Sequence, residues 1–134
     1  MTTTSEHIKN IQEMIKDINE KVRTDLLIER QKLIGFATSE VSCDLFAILL
    51  HKRNLILPGF NVNHRFFSSE KSARERFDFE FPDKNQLIKL LVSQENYRIL
   101  LCYGKSKERK VVEGAIENIY KIKSIIEKNV GEIT

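Results

Sequence analysis

Between Glu95 and Lys105 the chain gathers a guanidinium at Arg98, a thiol at Cys102, a phenol at Tyr103 and a glycine at Gly104. Arg98 follows Tyr97 and precedes Ile99, Leu100 and Leu101. A guanidinium among apolar neighbours must reach an acid, a cluster of carbonyls or a phosphate. Tyr103 follows Arg98 by little more than one helical turn and can reach a similar part of the surface. Neither a thiol nor a phenol titrates near neutral pH unless its surroundings shift it. A second group comprises His51, Lys52, Arg53, His64 and Arg65. Either it forms a patch for an anion or RNA, or its cations complement a helix C-terminus. Glu40 and Asp44, four residues apart, make either a carboxylate pair or an exposed helix edge. The three histidines stand apart in sequence, and His7, on a polar helical turn, is expected to face solvent. There is no phosphate-cradling glycine loop, zinc spacing or nucleophile elbow. No metal and no cofactor are expected.

These groups need a scaffold. The 134 residues suffice for one domain spanning 1–134. Charged residues are 31% of the chain, which suits helices with solvated outer faces. Five Gly and two Pro are too few for the many turns of a β-sandwich or barrel. The net charge of +3 is small for a dedicated nucleic-acid binder. Cys43 and Cys102 form no metal or disulfide pattern. The opening Met1-Thr-Thr-Thr-Ser5 has no basic stretch leading into an apolar run, so no signal peptide is expected. No apolar segment approaches the roughly 18 residues of a membrane span. The chain reads as cytoplasmic.

Apolar spacing predicts the elements. A first helix covers 5–23, capped by Thr4 or Ser5, with Ile8, Ile11, Ile15, Ile18 and Val22 on one stripe. A buried central helix covers 26–54, either separate from the first or continuous with it, with Gly35 and Ser39–Ser42 as points where it could bend. Leu26, Leu27, Leu33, Ile34, Ala37, Val41, Leu45, Ile48 and Leu49 supply its core, with Phe36 and Phe46 on a neighbouring face. Ser68 or Ser69 caps a short helix to about Phe77. Phe77, Phe79 and Phe81 then form an aromatic loop against the bundle. Asp83-x-x-Gln86 reads as a capping box for a helix that stops near Gly104. Ser106 caps the last helix, whose stripe is Val112, Ala115, Ile119, Ile122 and Ile126, closed by Gly131. The fold class is all-α: an antiparallel bundle of four to five helices.

The order of these elements, with Tyr97-Arg98-Ile-Leu-Leu-Cys102-Tyr103-Gly104 before a closing helix, resembles the HEPN domains, especially the HepT-like members. Their hallmark is Arg, often followed by Asn, then four to six residues to His, often with Tyr two residues beyond. Arg98 matches the motif arginine, Ile99 stands in place of Asn, and the histidine is absent. Tyr103 occupies either the histidine position or that of the motif tyrosine. The resemblance implies a HEPN-like homodimer. Active members cleave RNA without a metal, using Arg and His from two protomers and the ribose 2′-hydroxyl as nucleophile. Others are non-catalytic, or pair as toxin and antitoxin with a nucleotidyltransferase that modifies the motif tyrosine, here Tyr103.

Three functions follow. The first is a non-enzymatic, degenerate HEPN-like interaction module, dimeric, binding RNA, a nucleotide or a nucleotidyltransferase partner. Its ligand or partner residues are Arg98, Cys102, Tyr103, His51, Arg53, His64 and Arg65. The second is a ribonuclease toxin with Arg98 and Tyr103 as catalytic residues, or with His64 or His51 replacing the lost histidine. The third is a basic nucleic-acid-binding bundle using Lys52, Arg53, Arg65, Lys105, Lys107, Arg109 and Lys110. Against all three stands the plain alternative that Arg98 and Tyr103 only pack at a helix junction.

Overall fold

In the computed structural model, which describes residues 3–133, every regular element is helical. Met1 and Thr2, at the head of the stretch read for a leader, lie outside the described residues. The elements are α1 (Thr4–Arg23), α2 (Gln31–Lys52), a single 3-10 turn (His64–Phe67), α3 (Glu70–Arg76), α4 (Lys84–Cys102) and α5 (Arg109–Val130). The expected all-α bundle is observed, with five α-helices.

α1 is capped by Thr3, one residue before the expected candidates. Thr3 Oγ1 accepts the Glu6 N–H at 3.2 Å, while the Glu6 carboxylate accepts the Thr3 N–H at 2.7 Å, completing a reciprocal capping box. That hydrogen bonding holds the Glu6 carboxyl below its usual range. Ile11, Ile15 and Ile18 are buried as expected, but Val22 is 44% exposed. It sits in the last turn, just before Asp25 reverses the chain with φ of 56°. That reversal separates the first two helices. α2 therefore starts at Gln31 rather than at 26, and it ends at Lys52, with Asn54 again at positive φ.

α2 packs against α1, α4 and α5 and is the core helix. It is buried nearly all round. Its polar interior residues avoid an unsatisfied hydroxyl by bonding back along the helix. Thr38 donates to the Ile34 carbonyl at 2.8 Å, and Ser42 to that of Ser39 at 2.6 Å. α2 also corrects the reading that no segment is long and apolar enough to span a membrane. By length and composition it is, but 78% of its apolar window is buried inside the bundle, which accounts for the composition. The helix runs unbroken through Gly35 and Ser39–Ser42. Gly35 serves close approach instead, since a Cβ there would lie 2.7 Å from the Leu101 Cβ on α4.

The neighbours run antiparallel. Gly35 meets Leu101 and Glu40 meets Arg98 along α2 and α4, while Gln94 meets Ala115 and Leu90 meets Asn118 along α4 and α5. Phe46 anchors the aromatic side of the core, edge-on to Phe67, Phe77 and Phe81 at 5.8, 5.0 and 5.2 Å. The 77–81 segment is thus the expected aromatic loop. Ser69 caps α3 as one of the two serines expected.

Two further capping expectations fail. Asp83 stands at the start of α4 in left-handed backbone (φ 57°) and makes no cap bond. Its carboxylate accepts from Asn129 Nδ2 at 3.0 Å and pairs with Lys128, fastening α4 to the end of α5. The Asn129 bond, and behind it the Lys128 charge, hold the Asp83 carboxyl below its usual range. Ser106 does not cap α5, which begins after Glu108. The Ser106 hydroxyl instead accepts from Gln31 Nε2 at 3.0 Å, and Gln31 Oε1 takes the Lys107 N–H at 2.8 Å. The start of α2 is thereby tied to the α4–α5 connection.

Candidate functional site: the groove between α2 and α4

Glu95, Arg98 and Cys102 recur at spacings of three and four along α4, so they share one face of that helix. This face meets α2. Arg98 Nη1 lies 3.7 Å from Glu40 Oε2, and its guanidinium carbon sits 5.2 Å from the Phe36 ring centroid. The first distance is a charge contact, too long for a hydrogen bond. Nη1 is buried and has no hydrogen-bond partner. The acid that Arg98 had to reach is therefore Glu40, but the guanidinium keeps donor capacity in a partly apolar setting. Phe36 beside it is exposed (44%), and so are Leu33 (55%), one turn earlier on α2, and Ile99 (50%), the next residue of α4.

His64 reaches the same face from the 3-10 turn. Its Nδ1 lies 3.0 Å from both oxygens of Glu95, which is almost wholly buried, whereas the His64 side chain is a quarter exposed. Glu95 stands one turn before Arg98, so the structure brings an imidazole to the arginine's helix face. A buried carboxylate on one ring nitrogen fixes ring orientation and leaves the other nitrogen available.

The thiols are poor nucleophiles here. Cys102 Sγ donates to the Lys32 carbonyl at 3.4 Å, and burial raises its pKa despite the opposing Arg98 charge. Cys43 is buried, and burial together with the Glu40 carboxylate raises it far out of the useful range. Tyr103 caps α4 in extended backbone and is 64% exposed. No hydrogen bond joins it to Arg98 among the described residues.

Glu40 and Asp44 are neither a carboxylate pair nor a bare edge. Glu40 serves Arg98, and Asp44 accepts from His7 Nδ1 at 2.5 Å. His7 is 5% exposed, contrary to the expectation that it faces solvent. Its ring centroid lies 6.0 Å from that of His51. Burial, together with the His7 charge, lowers the His51 pKa. His51 thus belongs with His7 near the end of α2, about three helical turns beyond Glu40. It does not join Arg98. His64 does share the arginine's face.

The expected basic stripe is divided. Lys52 and Arg53 stand at one end of α2, while Lys107 is bonded to Gln31 at the other. With 22 residues between them the two ends are about 30 Å apart. Arg109 is also engaged, donating to Asp25 Oδ1 at 2.5 Å and to Glu113, and the Asp25 bond raises its pKa. Arg53, Arg65, Lys105 and Lys110 are exposed.

Sequence reasoning missed Glu95 and Glu40 as the carboxylates of this site. The helical spacing of Glu95 to Arg98 was the available signal for the first. Nothing in the sequence linked Glu40 to Arg98. Among the described residues no group of three or more His, Cys, Asp or Glu side chains is arranged to hold a metal ion. Compared with protein-family models, curated proteins and solved structures, the chain has no match in any of the three.

Proposed function

We propose that this chain is a helical interaction module that works as a homodimer, of the HEPN-like kind suggested by the Tyr97–Gly104 stretch, and that the α2–α4 groove is its contact surface. The single observation that carries this reading is Arg98. Its buried Nη1 lacks a hydrogen bond, while the apolar side chains beside it are exposed. A half-buried arginine against the exposed Phe36 ring, with exposed Leu33 and Ile99 on the same two helices, has the composition of an interface hot spot. The groove also carries both signs of charge, Arg98 and Glu40. A two-fold contact places each chain's arginine toward the other's acid, which satisfies the rule that an isologous patch must complement itself. Light scattering at micromolar concentration tests it. The wild-type chain should run as a dimer, and Phe36→Asp or Arg98→Ala should shift it to monomer, each weakening association by about 2 kcal/mol or more. A wild-type monomer at tens of micromolar refutes the reading.

A second reading rests on a separate observation, the His64–Glu95 pair on the Arg98 face. In this reading the chain is a metal-independent ribonuclease in which His64 replaces the histidine missing after Arg98. Arg98 stabilises the phosphate charge, and Glu95 orients the imidazole. Loss of a positioned acid–base group costs about 10²- to 10⁴-fold in rate. Cleavage of RNA in excess chelator should then disappear in both His64→Gln and Arg98→Ala; cleavage that survives either change excludes this site.

A further inference from the structure

A second polar cluster lies away from the α2–α4 groove, where the start of α1 crosses the later turns of α2. Asp44 and His51 are seven residues apart on α2, two turns along the same face. His7 of α1 packs against both. The Nδ1–H of His7 donates to Asp44 Oδ1 at 2.5 Å. That bond sets the neutral ring's tautomer, leaving Nε2 with a free lone pair. Yet His7 Nε2 is buried and has no hydrogen-bond partner, and neither has His51 Nε2. Two orphaned imidazole nitrogens on neighbouring rings are unusual, because buried polar atoms are nearly always satisfied.

We propose that His7 Nε2 and His51 Nε2 together bind a divalent transition-metal ion of borderline softness, such as Zn²⁺, Co²⁺ or Ni²⁺, and that the ion clamps α1 to α2. The ring spacing agrees. Two metal–nitrogen bonds of roughly 2 Å, each extended by a ring radius, put the centroids of a bent bridge roughly 5 to 6 Å apart. The observed separation is 6.0 Å. Imidazole is the ligand this class of ion prefers. Asp44 is spent on His7 Nδ1 and is not itself a ligand, so the site offers two protein donors rather than three. It acts as the outer carboxylate that metal-binding histidines usually carry, which fixes the orientation of the ring. Water completes the coordination. Its route is from the His51 side, where that residue, though not His7, lines a surface cleft with Thr3, Thr4, Asn54 and Leu57. His64 is a poor competitor, since its ring has no second imidazole packed beside it as His7 has in His51.

The test is titration of the full chain with ZnCl₂ by calorimetry, and with CoCl₂ by visible absorption. One ion per chain is expected, with proton release that grows as the pH is lowered. His7→Gln and His51→Gln should each abolish binding. Asp44→Asn should weaken it by about 10- to 100-fold. His64→Gln should leave it unchanged. Far-UV circular dichroism of each variant separates loss of the ligand from loss of the fold, and His51→Gln, at the partly exposed end of α2, is the variant most tolerant of change. Zinc should also raise the midpoint of thermal unfolding of the wild-type chain but not of His51→Gln. Several results overturn the proposal. They are no binding, binding that survives either His7→Gln or His51→Gln, loss of binding in His64→Gln, or a cobalt–thiolate absorption band, which would place the ion at a cysteine. None of them bears on the dimer reading, which rests on the other groove.

Discussion

Gly35→Ala sets two effects of opposite sign against each other. Replacing an interior helical glycine with alanine ordinarily stabilises by about 1 kcal/mol, because glycine loses more backbone freedom on folding. At Gly35 the added Cβ would meet the Leu101 Cβ at 2.7 Å and the Cys102 Sγ at 3.2 Å. Carbon atoms are attractive only near 3.5 to 4.0 Å, so α2 and α4 must part by close to 1 Å. The obstructing atom is a Cβ, fixed to its own helix backbone, so no rotamer change relieves the clash. Overpacking of a tight contact costs about 1–3 kcal/mol, which outweighs the propensity gain. The expected net loss is about 1 kcal/mol, or a fall of about 3–5 °C in the thermal midpoint for a chain of this length. Gly114 is the internal control. A Cβ there meets the Tyr97 Oη at 2.6 Å and Cζ at 3.0 Å, the far end of a half-buried ring that can swing aside. Gly114→Ala should therefore cost less than Gly35→Ala, or even stabilise. Urea unfolding followed by circular dichroism measures both. If Gly35→Ala matches or exceeds wild-type stability, or if Gly114→Ala is the more damaging, the account of the α2–α4 contact is refuted.

Three further expectations concern stability. Thr3→Ala should cost about 1 kcal/mol by removing the capping box, while Thr4→Ala and Ser5→Ala change urea midpoints far less. Phe77→Ala should cost about 3–5 kcal/mol, since Phe77 is fully buried against Phe46, Phe67 and Phe66; limited proteolysis should then cut first within 77–82. With chelator present, stability should fall with acid, because the folded pKa of His51 is lowered from 6.5. The unfolded chain then binds the extra proton, so the contribution is complete above pH 6.5 and is lost as the pH falls toward the folded value. Thermal midpoints measured from pH 7.5 to 5 should show that slope, and His51→Gln should flatten it.

Much of the fold was legible because the bundle rests on side-chain periodicity. The stripe Val112, Ala115, Ile119, Ile122 and Ile126 is buried throughout, and Gly104 and Gly131 end their helices at positive φ. The misreadings cluster at helix ends. There a short polar residue has several partners within reach, and tertiary contacts choose among them. Ser106 is taken by Gln31 and Asp83 by Asn129, both distant in sequence, so local spacing could not show that neither serves as a cap. Arg98 could be singled out because an arginine inside an apolar run demands a partner. Its partner Glu40 and the His64–Glu95 pair could not be found that way, since each joins residues more than thirty positions apart.

The same limit explains why the two carboxylates of α2 were misjudged together. Four residues apart on one helix, Glu40 and Asp44 look like neighbours with one fate. α2, however, is the core helix, and different helices cover different sides of it. Its contact with α4 is held close by Gly35, with the back-bonded hydroxyl of Thr38 one turn on. That close approach leaves Glu40 at the rim of the α4 contact, where it meets Arg98, and Asp44 at the rim of the α1 contact, where it meets His7. The packing that makes α2 apolar enough to resemble a membrane span thus also divides its acids between two nitrogen groups: a guanidinium with donors to spare and an imidazole whose second nitrogen is unsatisfied. Exposed Phe36 lies beside the first, and His51, which lines a surface cleft, beside the second. A bundle that needed only to be stable could have replaced both pairs with well-packed apolar residues at little loss. That they stand on two separate rims of one helix is the reason to test them separately, one by association and the other by metal titration.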